Sequence, residues 1–163
     1  MGVDLRFVLK KDRRKKEIQR IPMSRPFCAL IGNTKYLGST DFRRLEKIVG
    51  MDLAIILELE YDDPEEALYW TKLADIGDTS DIKRNAWLSQ RYMKASELKL
   101  MISELLEKLR NDRICRDKLK SFKANEWVAY VEKEFLDDLA YLSCELDEKI
   151  ADGFKWVSVE IGH

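Results

Sequence analysis

VDLRFVLKKDRRKKEIQR, Val3 to Arg20, decides the fold. Its first part alternates, with Val3, Leu5, Phe7 and Leu9 on one face and Asp4, Arg6 and Val8 on the other. That period of two specifies a β-strand. The far end of the chain repeats the signal in FKWVSVEI, Phe154 to Ile161. Between the two lie stretches with helical spacing. The expected class is therefore α+β: a small, mostly antiparallel sheet with strands from both chain ends, packed by several helices that include a long C-terminal one. The chain has 163 residues, and residues 1–163 read as a single globular domain.

The second part of the quoted stretch raises the functional question. From Lys10 to Arg20, seven of eleven residues are basic: Lys10, Lys11, Arg13, Arg14, Lys15, Lys16 and Arg20. Such a run suits a nucleic-acid contact, an acidic protein partner, or a solvated connection between strands. A nucleic-acid clamp commonly adds aromatic side chains that stack on bases. None lies between Phe7 and Phe27. The isoelectric point of about 6.0 is also low for a dedicated nucleic-acid binder. The charge is nonetheless polarised. Residues 1–50 carry 13 basic and 5 acidic side chains, so the remaining residues hold the excess acid behind an overall charge of −1.

Between the terminal strands, Phe27–Ile31 reads as a short buried strand and the following GNTKYLGST as a loop. Asp41–Val49 carries a helical pattern ended by Gly50. Residues 52–60 fit a strand or a helical turn. Asp63, Pro64, Glu65 and Glu66 open a helix, since an Asp cap, an early proline and early acids all suit a helix N-terminus. AWLSQRYM, from Ala86 to Met93, reads as a strand rich in aromatics. A helix from Ser96 places Leu98, Ile102, Leu105 and Leu109 on one side. The longest helix is expected from Asn125 to about Asp152, with Phe135, Leu139, Leu142 and Leu146 on its apolar face. Tyr130, Asp137, Tyr141 and Glu148 fall in a stripe on the opposite side. Tyrosine is favoured at interface hot spots, so this stripe is a candidate protein-binding surface. Trp70, Trp87, Trp127 and Trp156 read as core or core-rim residues.

Several chemistries are disfavoured. The sole histidine is His163, which speaks against Ser-His-Asp and Cys-His arrangements within the fold. Cys28, Cys115 and Cys144 are odd in number and lack metal-ligand spacing, so neither a metal site nor a cofactor is expected. Free thiols suit a reducing, cytoplasmic setting, and no apolar run has the length of a membrane span. The segment around Gly32, Lys35, Gly38, Ser39 and Thr40 has the strand, glycine loop and helix-start order of a phosphate-binding loop. Its spacing departs from the P-loop pattern, because five residues separate the glycines and no lysine follows Gly38. Nucleotide binding there is the weakest of the functional readings.

Three pieces of the chain taken in order carry a resemblance. They are the start MGVDL, the helix ALYWTKLADI, and the succession RYMKASELKLMISELLEKL, EFLDDLAYLSCELDEKI and FKWVSVEI. Together they resemble a group of small phage and prophage proteins that open with MG(L/V)D, carry a tyrosine-tryptophan helix, and close with a long helix and an aromatic strand. The group supplies no catalytic residues to carry over. The resemblance implies an accessory protein that binds, and inhibits or redirects, a host protein. The expected function is therefore non-catalytic binding of a host protein, with nucleic-acid binding through Lys10–Arg20 as the alternative.

Overall fold

A computed structural model describes residues 4–74, 77–120 and 134–162. The fold is α+β, as the terminal alternation predicts. Strands β1 (Asp4–Lys10), β2 (Gln19–Pro22), β3 (Met93–Lys94) and β4 (Trp156–Gly162) form one sheet in the order β2-β1-β4-β3. All of its ladders are antiparallel. The two chain ends thus supply the two central strands, with Phe7 opposite Val159 and Lys10 opposite Trp156.

One face of the sheet carries Leu5, Phe7, Leu9, Ile21, Val157 and Val159 into the core. Helices α1 (Arg25–Leu37), α2 (Asp41–Val49), α6 (Ala95–Asn111) and α8 (Phe135–Ala151) supply the apolar side chains that meet it. Helix α6 contributes Leu98, Ile102, Leu105 and Leu109, and α8 contributes Phe135, Leu139, Leu142 and Leu146, each at helical spacing. Phe27 bridges the layers, its ring 6.1 Å from Phe7 and 6.2 Å from Phe135. Fully burying one such apolar side chain contributes about 1.5–3 kcal/mol, so this layer dominates stability.

Two local expectations are corrected, and one open reading is decided. Residues 27–31 form no strand but lie within α1. Pro26 sits in the first turn, where its missing N–H costs nothing, and Ser24 caps the helix by accepting from Phe27 N–H. The apolar run therefore faces the core by helical spacing, through Phe27, Leu30 and Ile31. Ala86–Ser89 lies in α5 (Ile82–Ser89), and of the expected strand only Met93 pairs with β4, in a two-residue strand shared with Lys94. The ambiguous 52–60 stretch makes a short helix, α3 (Ile55–Glu58). It is followed by a single bridge at Glu60 and another at Tyr61. The latter covers the exposed edge of β4 beyond β3, with Tyr61 N–H donating to Val159 O at 2.7 Å.

The expected helix starts hold elsewhere. Asp63 Oδ1 accepts from the N–H groups of Glu65 and Glu66 at the head of α4 (Pro64–Leu73). Gly38 and Gly50 close α1 and α2 in the left-handed conformation, at φ 74° and 66°. Helix α7 (Arg113–Lys120) follows α6. The expected start of the last helix at Asn125, together with Trp127 and Tyr130, lies outside the described residues. Among the described residues, no helix is long and apolar enough to cross a membrane.

Candidate functional site

The second face of the sheet has a different chemistry. Alternation places Arg6, Val8 and Lys10 of β1 beside Arg20 of β2 and beside Trp156, Ser158 and Glu160 of β4. Glu160 is 3 % exposed and is held by two arginines. Arg20 donates to both carboxylate oxygens at 2.7 and 3.0 Å, and Arg6 donates at 3.5 Å. Such a bidentate fork fixes Arg20 in place and balances the buried negative charge.

Lys10 is the more unusual residue. It is 0 % exposed, although it belongs to the most basic segment of the chain. Its Nζ lies 4.5 Å from the ring centre of Trp87, 5.7 Å from Tyr61 and 5.8 Å from Tyr92. It donates to Lys15 O at 2.7 Å and to Arg13 O at 3.5 Å. Loss of water lowers its pKa, opposed by the carboxylates of Asp12 and Asp63. Three aromatic faces and two carbonyls thus take over the hydration of the ammonium group. The result is a peg that pins the β1–β2 connection onto the sheet.

The basic segment is therefore divided. Lys10 is buried inside the fold, and Arg20 is engaged by Glu160 at the sheet surface. Lys11, Arg13, Arg14, Lys15 and Lys16 are exposed on the connection between β1 and β2. Lys11 lies 5.2 Å from the Phe154 ring, and the Arg13 guanidinium stacks 4.0 Å over Trp156. Arg14 pairs with Asp12, whose carboxyl is held below the usual range mainly by the Arg14 N–H. A cleft of about 540 Å³ opens beside this loop, lined by Asp12, Arg13, Arg14, Trp87, Gln90, Tyr92 and Trp156. Gln90 is anchored to the Asp62 carbonyl at 2.9 Å and accepts from the Tyr92 hydroxyl.

The aromatic side chains missing from the basic segment are thus supplied by α5, the residues before β3, and β4. Sequence reasoning assigned Trp87 and Trp156 to the core or its rim. The signal that points to this cleft is the strand period itself. Continued past Leu9, it places Lys10 on the face away from the core.

The other expected sites fare differently. Gly32 is buried within α1, so its N–H belongs to a helix and not to a phosphate-binding loop. Lys35 donates to the Leu59 carbonyl, and burial lowers its pKa. Ser39 N–H donates to Asn33 O, and Ser39 Oγ accepts from Asp41 N–H. Thr40 occupies the cap position of α2 without a capping side-chain bond. Gly38 closes α1, so the expected strand, loop and helix order is replaced by helix, short connection and helix. Asp137, Tyr141 and Glu148 are exposed on α8.

A further exposed surface lies on α4. Every residue of this helix is described, and none is buried. Tyr69, Trp70 and Leu73 are 60, 47 and 63 % exposed, and the two rings meet edge-on at 5.4 Å. Spacings of three and four set Leu73 beside both rings on one helix face. Trp70 therefore lies on the surface and not in the core or at its rim, where the sequence reading placed it. Comparison with protein-family models, with curated proteins and with solved structures found no match.

Proposed function

We propose that the protein acts without catalysis, by binding another protein, and that α4 carries the main contact. The supporting observation is the exposure of Tyr69, Trp70 and Leu73 on a helix that buries none of its residues. Tryptophan and tyrosine dominate interface hot spots because large rings release much water at low entropic cost. A soluble domain has no folding reason to place them together on its surface. The exposed Asp137, Tyr141 and Glu148 of α8 offer a second, acidic contact for a basic region of a partner. The resemblance to phage and prophage proteins supports a bacterial host protein as that partner.

The test is a pull-down from bacterial lysate with three versions of the protein: native, Tyr69→Ser/Trp70→Ser/Leu73→Ser, and Asp137→Lys/Tyr141→Ala/Glu148→Lys. A partner retained by the native protein is lost with the α4 variant and retained more weakly with the α8 variant. Equal retention of the same protein by all three rejects both surfaces.

A further inference from the structure

We propose that the cleft between the β1–β2 connection and the aromatic side chains of the sheet's second face binds single-stranded nucleic acid. In this arrangement one base lies against the lining formed by Trp87, Tyr92 and Trp156. The flanking phosphates lie on Arg14, which lines the cleft, and reach toward Lys15 and Lys16, the next two residues of the same exposed loop. This site is separate from the α4 surface and does not depend on it.

Four observations carry the proposal. The first is size: about 540 Å³ falls within the roughly 300–1,000 Å³ range of small-molecule sites and accommodates a nucleotide unit. The second is chemistry. Exposed cations and half-buried aromatic rings share one opening, and single-strand sites combine a positive groove with stacking faces. Arg13, flat over Trp156 at 4.0 Å, extends that stack with a guanidinium plane on which a base also stacks.

The third observation is preorganisation. Lys10 holds the carbonyls of Arg13 and Lys15 from inside the fold, so the loop that carries the cations is already positioned before any ligand arrives. The fourth is the state of the nearby acids. Asp12 is engaged by Arg14, and Glu160 is engaged by Arg6 and Arg20. Neither carboxylate faces an incoming phosphate without a compensating cation. An acidic peptide would satisfy the cations but make no use of the ring faces that Lys10 and Arg13 leave uncovered. A duplex keeps its bases stacked away from those faces. A flexible single strand uses both features.

Fluorescence anisotropy with a labelled twelve-nucleotide oligothymidylate tests the proposal, starting at low salt. Contact with two to four phosphates predicts that log affinity falls against log salt with a slope of about −1.5 to −3. Arg14→Glu/Lys15→Glu/Lys16→Glu alters only exposed loop side chains, so it folds; it weakens binding at least about tenfold and flattens the slope. Trp156→Leu weakens binding by about fivefold to a hundredfold through lost stacking. Should that variant unfold, quenching of native tryptophan fluorescence by the strand reports the same contact. Absence of binding at low salt overturns the proposal. So does an affinity untouched by the charge reversal, equal affinity for a duplex of the same length, or displacement of the strand by poly-glutamate as readily as by unlabelled oligonucleotide.

Discussion

The two faces of the four-stranded sheet use the same strands for opposite purposes. Toward α1, α6 and α8, each strand offers aliphatic and aromatic side chains that close the core. On the other face the same strands carry Arg6, Lys10, Arg20, Trp156 and Glu160. The first face gains stability from shape and loss of water. The second satisfies each buried charge with a particular partner and keeps further charges and rings at the surface. Burying charge in this way seldom adds net stability, because desolvation offsets the attraction. It does fix conformation, and here the conformation fixed is that of the cationic loop.

That comparison predicts a graded series of effects. Phe7→Ala, on the apolar face, costs about 3–5 kcal/mol in urea unfolding, since it removes a ring packed on Phe27. A loss below about 1 kcal/mol would show that this face does not dominate. Glu160→Ala, on the charged face, costs about 1.5–3 kcal/mol, because Arg20 loses two short charged hydrogen bonds but remains partly hydrated. Lys10→Met changes global stability less. It accelerates amide exchange across residues 11–17 by about five- to tenfold, as loss of roughly one hydrogen bond's free energy implies. Unchanged exchange there would remove the peg from the account.

A pH titration sharpens the same contrast. Burial, reinforced by Asp63 and Glu160, pushes the Tyr61 phenol up to about 12, from an ordinary value of about 10. Between these values the unfolded chain gives up the proton first, so it binds fewer protons than the folded one. Stability therefore falls as pH rises through this window. Tyr61→Phe makes the fall shallower by up to about 1.4 kcal/mol per pH unit. Identical slopes would place the Tyr61 hydroxyl in contact with water. The smallest effect belongs to the exposed surface: Trp70→Ser shifts stability by no more than about 0.5 kcal/mol. A larger loss would make Trp70 a folding residue and weaken the proposed contact on α4.

The difference between the faces also explains what could be read from the sequence. The apolar face was legible because its signal is local. Leu5, Phe7 and Leu9 alternate, and the repeats in α6 and α8 show directly which residues turn inward. The Arg25–Leu37 helix is hidden because the short apolar run Phe27–Ile31 suits a buried strand as well as a helix, and Pro26 sits in the first turn, where a helix accepts it. The charged face was illegible in detail because its partners are remote. Nothing near Lys10 in sequence indicates that Tyr61, Trp87 and Tyr92 will enclose it. The basic run looked uniform, yet the fold buries one end, pairs the other with Glu160 and leaves the middle exposed. The α4 aromatics were legible as part of a helix but not as a surface, because large rings near an apolar residue three or four positions on usually mark a buried face.

The account's central claim is that side chains beyond the apolar core are arranged for a partner, with α4 as the principal contact. Photocrosslinking in bacterial lysate tests this most directly, with a benzophenone side chain at position 70 or, as a control, at position 100. Trp70 and Leu100 are 47 and 62 % exposed, on α4 and α6 respectively. The account predicts a discrete adduct of one host protein from position 70 that position 100 does not give. The same adducts from both positions, or none from position 70, would contradict it.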